Sequence, residues 1–342
     1  MNDLQDTNAS APVETPAPAP PEDDVIQGIS LGKYFHQRVR AFGKSTLVRA
    51  VHEATIGVAR AETVGLVGES GSGKTTLGRL LLRLLEPSFG KVVFRGRDVT
   101  FLLERDLRPL RRHMQLLFQD APASLDARLS VGEIVAEPLH IHGLGADRAR
   151  VAELLARVGL PAAYAQRRPA QLSSGQCQRV AIARALALDP MFVVCDEPVA
   201  SLDVSEQIGI MDLLATLQAE RALAYLIISH DLRLVLGSSQ RVYVMYAGRI
   251  VEGASSRALS NGGRHPYTRA LLHAVPEPEP RRRRLRLVLE GEPPSPFQPL
   301  LGCAFHPRCP RARAGVCDTD APPLAPVAAD DWHDVACWFP YE

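Results

Sequence analysis

The segment Gly68–Thr75 combines glycines, a lysine and a threonine at a spacing suited to binding phosphate. Its sequence GESGSGKT fits the pattern Gly-x4-Gly-Lys-Thr, in which backbone N–H groups and the start of a helix surround phosphate oxygens. In such a loop Lys74 reaches the β- and γ-phosphates of ATP, and the Thr75 hydroxyl ligates Mg²⁺. The residues that we assign to nucleotide binding here are Gly68, Ser70, Gly71, Gly73, Lys74, Thr75 and Thr76.

The elements on either side of this loop are the ones that it requires. Thr63–Val67 is a short β-branched and apolar run, which is typical of a buried parallel strand. A strand–loop–helix order favours a phosphate-binding loop over a glycine-rich connector of an unrelated α/β protein. Five leucines follow at helical spacing and predict one apolar helix stripe: Leu77, Leu80, Leu81, Leu84 and Leu85.

A second predicted strand ends in two carboxylates. Met191–Cys195 is a continuous apolar run, as expected of a strand covered on both faces, with Cys195 as a small buried hydrophobe. Asp196 and Glu197 follow at its C-terminal end, where ligands bind to parallel sheets. We predict that Asp196 holds Mg²⁺ through water and that Glu197 orients or deprotonates the attacking water. An Asp-Glu pair alone would fit a turn or helix cap; the phosphate-binding loop favours the catalytic interpretation.

Further segments, in order along the chain, resemble the motifs of ABC-type ATPases. They are LGKYFH, LLFQD, QLSSGQCQRVAIARAL, ASLDVS and YLIISHD. The resemblance implies that an aromatic ring stacks on adenine, and register favours Phe35 over Tyr34. It implies that Gln119 of LLFQD takes part in catalysis and in Mg²⁺ binding, and that Asp203 of ASLDVS belongs to the D-loop and to the nucleotide-binding residues. It also implies that His230 is the switch histidine, a catalytic residue.

The segment QLSSGQ resembles the family signature and opens a predicted helix. Such a segment can offer backbone N–H groups and a hydroxyl to phosphate. The resemblance implies that Ser173, Gly175 and Gln176 do so for ATP held by a second subunit, so that ATP lies between two protomers. Ser174 stands where the family usually has glycine, and Cys177 where it commonly has a basic residue. The Ser174 side chain either weakens the site that this chain completes or is tolerated there.

Within that family the chain most resembles ATP-binding subunits of dipeptide and oligopeptide importers. The segments RHPYTRALL and GEPPSPFQPLLGCAFHPRCP carry most of this resemblance. It implies ATP hydrolysis that powers peptide import, as a peripheral subunit on the cytoplasmic face of the inner membrane. The implied partners are a second, non-identical ATPase subunit, two membrane permease subunits and, through them, an extracytoplasmic peptide-binding protein.

Two alternative functions stay open at this point. The first is import of another solute, such as a metal chelate or a glycopeptide, through the same chemistry. The second is a soluble ABC ATPase of translation or DNA repair. A single cassette and a net charge of +1 argue against the second alternative and against nucleic acid as a partner.

Four of the six cysteines lie close to the C-terminus at the spacing C-x5-C-x7-C-x19-C: Cys303, Cys309, Cys317 and Cys337. With no signal peptide evident, a cytoplasmic location favours metal binding over disulfides. Zinc sites usually have close C-x2-4-C pairs, whereas iron–sulfur clusters use four thiolates at looser spacing. Some members of the resembled branch hold a [4Fe–4S] cluster in this region. We expect such a cluster, with zinc or unliganded thiols as alternatives and with His306 and His333 as bystanders.

Composition sets the limits within which these motifs act. Hydrophobic residues make up 46% of the chain, enough for a large core, and no apolar run approaches the length of a membrane span. The predicted fold is α/β: a P-loop ABC ATPase nucleotide-binding domain with an antiparallel β portion near the N-terminus, a helical subdomain and a small Cys-bearing C-terminal module.

The predicted divisions of the chain are as follows. Residues 1–24 form a disordered tail, and residues 25–264 form the ATPase domain with its helical subdomain at about 120–172. Residues 265–342 form a C-terminal extension of the oligopeptide-transporter type. The run Arg281–Arg284 lies in a proline-rich linker and is interpreted as a solvated charge run rather than a nucleic-acid or lipid site.

Overall fold

The computed structural model describes residues 24–38, 45–274, 291–292, 294–295, 301–327 and 332–342. The predicted N-terminal tail lies outside these residues except for Asp24, which opens the first strand. The run Arg281–Arg284 also lies outside them. No helix in the described ranges is both long and apolar enough to span a bilayer.

The N-terminal part forms an antiparallel sheet of four strands. Strand β1 (Asp24–Arg38) pairs with β2 (Ser45–Ala59) on one side and with β4 (Phe89–Phe94) on the other. Strand β4 pairs in turn with β5 (Arg97–Asp98), which gives the order β2-β1-β4-β5. The antiparallel portion predicted from the sequence is therefore confirmed.

A second, mostly parallel sheet forms the centre of the molecule. Its eight strands are β3 (Thr63–Val67), β6 (Met114–Leu117), β7 (Phe192–Asp196), β8 (Ala224–Ser229), β9 (Arg241–Tyr246), β10 (Arg249–Ser255), β11 (Ala325–Pro326) and β12 (His333–Val335). Their order is β11-β12-β10-β9-β3-β8-β7-β6, with parallel pairing from β9 to β6. Every residue of β3, β7 and β8 is buried, because apolar side chains cover both faces of these strands.

Helices pack on the sheets, and several of them lie between strands β6 and β7 along the chain. They are α1 (Lys74–Leu81), α2 (Glu104–Arg111), α3 (Ala121–Ser124), α4 (Val131–Ile141), α5 (Arg148–Arg157), α6 (Ser174–Leu186), α7 (Val204–Arg221), α8 (Leu232–Ser238), α9 (Ser256–Asn261) and α10 (Pro266–Ala274). Short 3₁₀ turns lie at Ala162–Gln166, Pro169–Gln171 and His306–Arg308. Helices α3, α4 and α5 all pack against α6, which ties this helical part to the central sheet.

The predicted leucine stripe is wrong at its C-terminal end. Helix α1 ends at Leu81, and Arg83 adopts a left-handed φ of 52°, so Leu84 and Leu85 leave the helix axis. The side chain of Arg83 is buried, and its Nε donates to the Val99 carbonyl at 3.0 Å, which stabilises this turn. Leu84 is consequently 46% exposed instead of lying in the core.

The C-terminal extension is built into the edge of the central sheet. Strand β12 pairs with β10, where the fully buried carboxylate of Glu252 accepts a hydrogen bond from His333 Nε2 at 2.6 Å. The backbone N–H groups of Arg264 and His265 donate to the same carboxylate at 2.7 and 3.0 Å. Because this buried charge has three donors, it fixes the start of the extension against the sheet.

Acid is expected to destabilise the fold through His265. Burial lowers the pKa of this imidazole to about 4, and its Nδ1 accepts a hydrogen bond from the Tyr267 backbone N–H. An unfolded histidine titrates near pH ~6.5, so the unfolded chain binds more protons between that pH and about 4. Stability therefore falls as the pH falls through this window, by about 3 kcal/mol from this group at pH ~4. Denaturant unfolding at several pH values measures the loss.

The variant His265→Asn isolates this contribution because asparagine keeps an acceptor near the Nδ1 position and does not titrate. Its unfolding free energy is expected to be lower at neutral pH, since the smaller side chain leaves space. Its dependence on pH between about 6.5 and 4 is expected to be flatter than that of the wild type. Equal slopes for the two proteins would contradict the assignment.

Candidate active site

Four candidate segments follow the C-terminal ends of adjacent parallel strands. Strand β3 leads into Gly68, β8 into His230, β7 into Glu197, and β6 towards Gln119. These strands are neighbours in the order β3-β8-β7-β6. Since parallel α/β sheets bind ligands at the carboxyl ends of their strands, the fold places the predicted catalytic residues where a ligand can reach them together.

The phosphate-binding loop is shaped by close backbone packing at Gly73. This residue caps α1 with a φ of 105°, and a Cβ there would lie 2.2 Å from the Ala50 carbonyl oxygen. Lys74 is buried, and its Nζ donates to the carbonyls of Gly68 at 2.7 Å and Glu69 at 3.0 Å. Burial lowers the pKa of Lys74, against the opposing charges of nearby carboxylates. Ser70 and Gly71 are exposed on the loop, and Thr76 is half-buried at the start of α1.

Thr75 and Asp196, both assigned to Mg²⁺, are in direct contact. The Thr75 hydroxyl donates to Asp196 Oδ1 at 3.1 Å, and burial raises the pKa of the Asp196 carboxyl. A hydroxyl beside a half-desolvated carboxylate is a donor set that a hard cation prefers, because the cation relieves the cost of the buried charge. Gln119, the third assigned ligand, lies exposed beyond the end of β6.

Glu197 and His230 form a hydrogen-bonded pair at the same edge. His230 Nδ1 donates to Glu197 Oε2 at 2.7 Å and to Oε1 at 3.0 Å. Glu197 has a left-handed φ of 49°, and its backbone N–H donates to the Ile228 carbonyl at 2.9 Å. Its side chain is 12% exposed while that of His230 is 61% exposed. Strand β8 therefore holds the Glu197 backbone, and the imidazole contacts the carboxylate from the solvent side. A carboxylate in this position can accept a proton from water.

The two candidate adenine-stacking rings have different surroundings. The Tyr34 ring packs edge-to-face on Phe89, with 5.4 Å between ring centroids, and its hydroxyl bonds to His52. The Phe35 ring is 38% exposed, with Lys33 Nζ lying 5.2 Å from its centroid. Phe35 therefore offers the freer face for a base to stack on, and its role in binding adenine stays a prediction.

The signature residues cap helix α6 as their sequence indicates. The Gln176 N–H donates to Ser173 Oγ at 3.2 Å, and the Ser173 N–H donates to Gln176 Oε1 at 3.1 Å, which is a capping box. Asp203 caps the next helix, α7, and hydrogen bonds from Glu206 N–H and the Ser205 hydroxyl lower its pKa. These contacts give the two segments defined shapes; they do not test the predicted binding of a second subunit's ATP.

One residue beside the signature was missed by sequence reasoning. Glu206 Oε1 accepts a hydrogen bond from Ser173 Oγ at 3.4 Å, and a Cβ on Gly175 would lie 2.5 Å from the same oxygen. A signal was present in the sequence, because Glu206 is three residues after Asp203 and so belongs to the first turn of a capped helix. That signal predicts a local cap and gives no indication of contact with α6.

Replacing Glu206 with glutamine is expected to strengthen ATP binding at the site that this chain is predicted to complete for a second subunit. The carboxylate contacts Ser173, which is predicted to bind phosphate, and like charges about 4 Å apart repel by about 1 kcal/mol or more. We expect the KM for ATP to fall about fivefold in a steady-state ATPase assay. Ser174→Gly removes bulk but no charge from the same segment and is expected to leave turnover unchanged or raise it. A higher KM for Glu206→Gln would contradict this account.

The four C-terminal cysteines line one cavity together with Phe305 and His306. Burial raises the pKa of Cys337 to about 11 and also raises the pKa of Cys303 and of Cys309. Four thiols are the donors of a thiolate-bound metal, but the raised pKa of three of them opposes the loss of their protons. The cavity also holds only about 10 Å³, which is room for roughly one water molecule. Within the described residues, no three or more His, Cys, Asp or Glu side chains are arranged to hold a metal ion. The predicted iron–sulfur or zinc site is therefore not supported by this geometry.

Comparison with known proteins assigns the chain to a family. Residues 51–200 match the model of the ABC transporter family, and residues 251–317 match the oligopeptide/dipeptide transporter C-terminal region. The probable peptide ABC transporter ATP-binding protein y4tS of Sinorhizobium fredii is 47% identical over 319 residues, which cover 92% of this chain and 90% of y4tS. The chain belongs to the ABC transporter family. A second relative of this ABC protein, the oligopeptide transport ATP-binding protein AppF of Bacillus subtilis, is 42% identical over 92% of the chain and 97% of AppF.

Solved structures of ABC cassettes share the fold. The ATP-binding cassette MJ0796, solved as a dimer in a post-hydrolysis state with ADP and Pi, has a TM-score of 0.61 and 28% identity, covering 68% of this chain and 99% of MJ0796. The cassette cbiO1 of Clostridium perfringens, part of the transporter complex cbiONQ, has a TM-score of 0.62 and 27% identity, covering 70% and 91%. The predicted ABC fold and ATPase class are confirmed by these matches.

Proposed function

We propose that this ABC ATPase hydrolyses ATP to power import of dipeptides or oligopeptides through a membrane permease. The observation that carries the substrate class is the match of residues 251–317 to the oligopeptide/dipeptide transporter C-terminal region. The relatives y4tS and AppF, whose names specify peptide and oligopeptide transport, support the same class over nine-tenths of the chain.

In this proposal the loop before α1 binds the phosphates of ATP. Lys74 exchanges its hydrogen bonds with the loop carbonyls for phosphate oxygens, which relieves the cost of its buried charge. Thr75, Asp196 and Gln119 hold Mg²⁺, which neutralises phosphate charge when bound. Phe35 stacks on the adenine.

Hydrolysis then depends on the pair at the end of strands β7 and β8. Glu197 accepts a proton from the attacking water as that water approaches the γ-phosphate. His230 holds the carboxylate in place through Nδ1, and its exposed ring is free to contact the nucleotide. The geometry needs no covalent intermediate, since positioning and charge stabilisation supply most of the catalysis in phosphoryl transfer.

The proposed assembly contains a second ATPase subunit, non-identical to this one. Val204 and Ile208 are 72% and 58% exposed on the first turns of α7, directly after Asp203. Exposed apolar side chains beside the signature segment provide a surface that a second subunit can cover. In that arrangement Ser173, Gly175 and Gln176 complete the ATP site of the partner subunit.

The proposed permease contact is a groove between the β6 edge and the helical part. The groove has a volume of about 310 Å³, and exposed Leu84 and Phe118 contribute to its lining. A short coupling helix of a permease subunit, as the family resemblance implies, would bury these side chains beside the strand that leads to Gln119. The subunit would then act as a peripheral protein on the cytoplasmic face of the inner membrane, with a peptide-binding protein on the other side.

Purification from detergent-solubilised membranes tests the assembly. The tagged full chain is expected to bring down two permease subunits and a second ATPase subunit. After reconstitution into vesicles, ATPase activity is expected to rise when a binding protein loaded with a di- or oligopeptide is supplied. If a metal chelate or a glycopeptide stimulated the ATPase activity instead, the proposed substrate class would be wrong. If the tagged chain were recovered with ribosomes or DNA and without a permease, the transport function would be overturned.

We also propose that the four C-terminal thiols hold a [4Fe–4S] cluster, for which the tail must widen its small cavity. The support is the convergence of Cys303, Cys309, Cys317 and Cys337 on one cavity. Anaerobic purification with iron, sulfide and zinc analysis tests this, together with Cys303→Ser and Cys309→Ser. Iron and sulfide that are present in the wild type and lost in both variants would support a cluster. Stoichiometric zinc would indicate a structural zinc site instead. Protein without metal would mean that the thiols only pack in the tail.

A further inference from the structure

The part of the extension that carries the four cysteines, residues 301–342 (the Cys-bearing tail), contacts the phosphate-binding loop through Arg308. Arg308 ends the 3₁₀ turn that precedes Cys309, and its Nη1 donates to both oxygens of Glu69, at 2.9 and 3.2 Å. The same nitrogen lies 3.2 Å from the hydroxyl oxygen of Tyr246, to which it donates. The Arg308 side chain is only 7% exposed. A buried guanidinium held by a carboxylate and a phenol has little freedom to leave this position.

A second contact joins the extension to the same residue of the loop. The backbone N–H of Glu69 donates to the hydroxyl of Tyr267 on α10, at 2.8 Å. Tyr267 is fully buried and packs on Tyr246 and Phe305, with ring centroids 4.6 and 5.5 Å apart. Phe305 belongs to the tail between Cys303 and Cys309. The rings thus form a rigid platform that carries both contacts to Glu69.

Glu69 is part of the phosphate-binding loop itself. Its carbonyl accepts hydrogen bonds from Lys74 Nζ at 3.0 Å and from the Ser72 N–H at 3.1 Å. The extension therefore fixes the N–H and the carboxylate of the residue whose carbonyl shapes the loop. An unpaired Glu69 carboxylate here would also repel the phosphates of a bound nucleotide, and Arg308 neutralises that charge.

We propose that Arg308 is a positioning residue for nucleotide binding, through which the C-terminal extension controls the phosphate-binding loop. Arg308 neutralises Glu69, and together with Tyr267 it holds the loop in the shape that accepts phosphate. This inference rests on the proposed function only in assigning ATP to the loop. It assigns to the tail a role in ATP binding that is independent of any metal and of the transported solute.

Direct nucleotide binding to the full-length chain tests the proposal without permease or peptide. Arg308→Ala is expected to raise the Kd for ATP and for ADP about tenfold, because a charge-assisted hydrogen-bonded pair is lost and Glu69 is left unpaired. Arg308→Lys keeps the positive charge but lacks the forked guanidinium, and its Kd is expected to lie between those of the wild type and Arg308→Ala. The double variant Arg308→Ala/Glu69→Gln is expected to recover most of the affinity, because no unpaired carboxylate then faces the phosphates.

A matched control lies five residues further along the same tail. Arg313 is exposed and stacks on Phe339, with its guanidinium carbon 3.9 Å from the ring centroid. Arg313→Ala removes an arginine from the extension without touching the loop, and the Kd for ATP is expected to stay at the wild-type value. Thermal unfolding is measured for each variant together with ATP binding. Comparison of its unfolding temperature with that of Arg313→Ala shows whether a variant has lost stability in general.

The outcomes separate this inference from the proposed function. Wild-type affinity in Arg308→Ala would overturn the positioning role. A double variant as weak as Arg308→Ala would overturn neutralisation of Glu69 as its cause. A wild-type chain that binds no ATP would overturn the proposed function instead. Because nucleotide binding is measured without permease or peptide, a failure of peptide import alone would leave the result for Arg308 unchanged.

Discussion

Replacing Glu197 with glutamine is expected to lower the kcat of ATP hydrolysis at least about 100-fold and to leave ATP binding intact. The amide has nearly the shape of the carboxylate, and its oxygen can still accept the hydrogen bond from His230 Nδ1. It cannot accept a proton from water, so the step that the carboxylate assists becomes slow. The Kd for ATP is expected to stay within about threefold of the wild type, because Glu197 is not assigned to phosphate or Mg²⁺.

Single-turnover hydrolysis and equilibrium binding, measured on the same preparation, separate these two effects. Glu153→Gln is a suitable control, because Glu153 is an exposed residue of α5 that pairs with Arg150 and Arg157. It should match the wild type in both assays. Turnover retained by Glu197→Gln would remove Glu197 from the role of base, and lost ATP binding would instead place this carboxylate in the nucleotide site.

Local patterns in the sequence predict the parts of this site that form from consecutive residues. The residue types and spacing that indicate the strand Thr63–Val67, the loop after it and the start of α1 all lie within one continuous segment, and these elements appear as predicted. The capping of α6 by Ser173 is equally local. The ends of strands β7 and β8 could be predicted because a continuous apolar run followed by a polar residue marks the carboxyl edge of a buried strand.

Contacts between distant segments could not be predicted in this way. Glu69 and Arg308 are separated by 239 positions, and neither residue type nor spacing indicates that they meet. The position of Glu206, three residues after Asp203, indicates only the start of a helix, although its carboxylate also contacts the signature segment of another helix. Both contacts depend on how helices and tail pack on the sheet, which is a property of the whole fold.

Residue spacing alone also could not predict the size of the cavity between the cysteines or the position at which α1 ends. The sequence predicts that four thiols converge, and they do line one cavity, but the volume of about 10 Å³ follows from aromatic and backbone packing around them. The leucine spacing continues past Leu81, yet a buried arginine, Arg83, breaks the helix by turning into the core. In each case a packing interaction overrides a periodic pattern.

Gly73→Ala is expected to weaken ATP binding about 100-fold and to lower the stability of the fold by about 2–4 kcal/mol. A Cβ at this position would lie 2.2 Å from the Ala50 carbonyl oxygen. The carbonyl belongs to the backbone and the Cβ is bonded directly to Cα, so neither can rotate away. The φ of 105° adds conformational strain for any L-residue with a side chain. Relief requires the loop to move, and its N–H groups then lose their alignment on phosphate. Equilibrium binding of ATP and denaturant unfolding measure the two effects.

Gly96→Ala is the control that separates the backbone strain of a left-handed φ from the collision of a Cβ with a neighbouring atom. Gly96 also has a left-handed φ, 73°, but a Cβ there meets no atom within 4 Å, and the residue lies in the turn between β4 and β5. Alanine at Gly96 is expected to cost about 1–2 kcal/mol of stability and to leave ATP affinity unchanged. If Gly73→Ala lost no more affinity than Gly96→Ala, the loop would tolerate the displacement. Close packing on β2 would then not be what gives the loop its phosphate-binding shape.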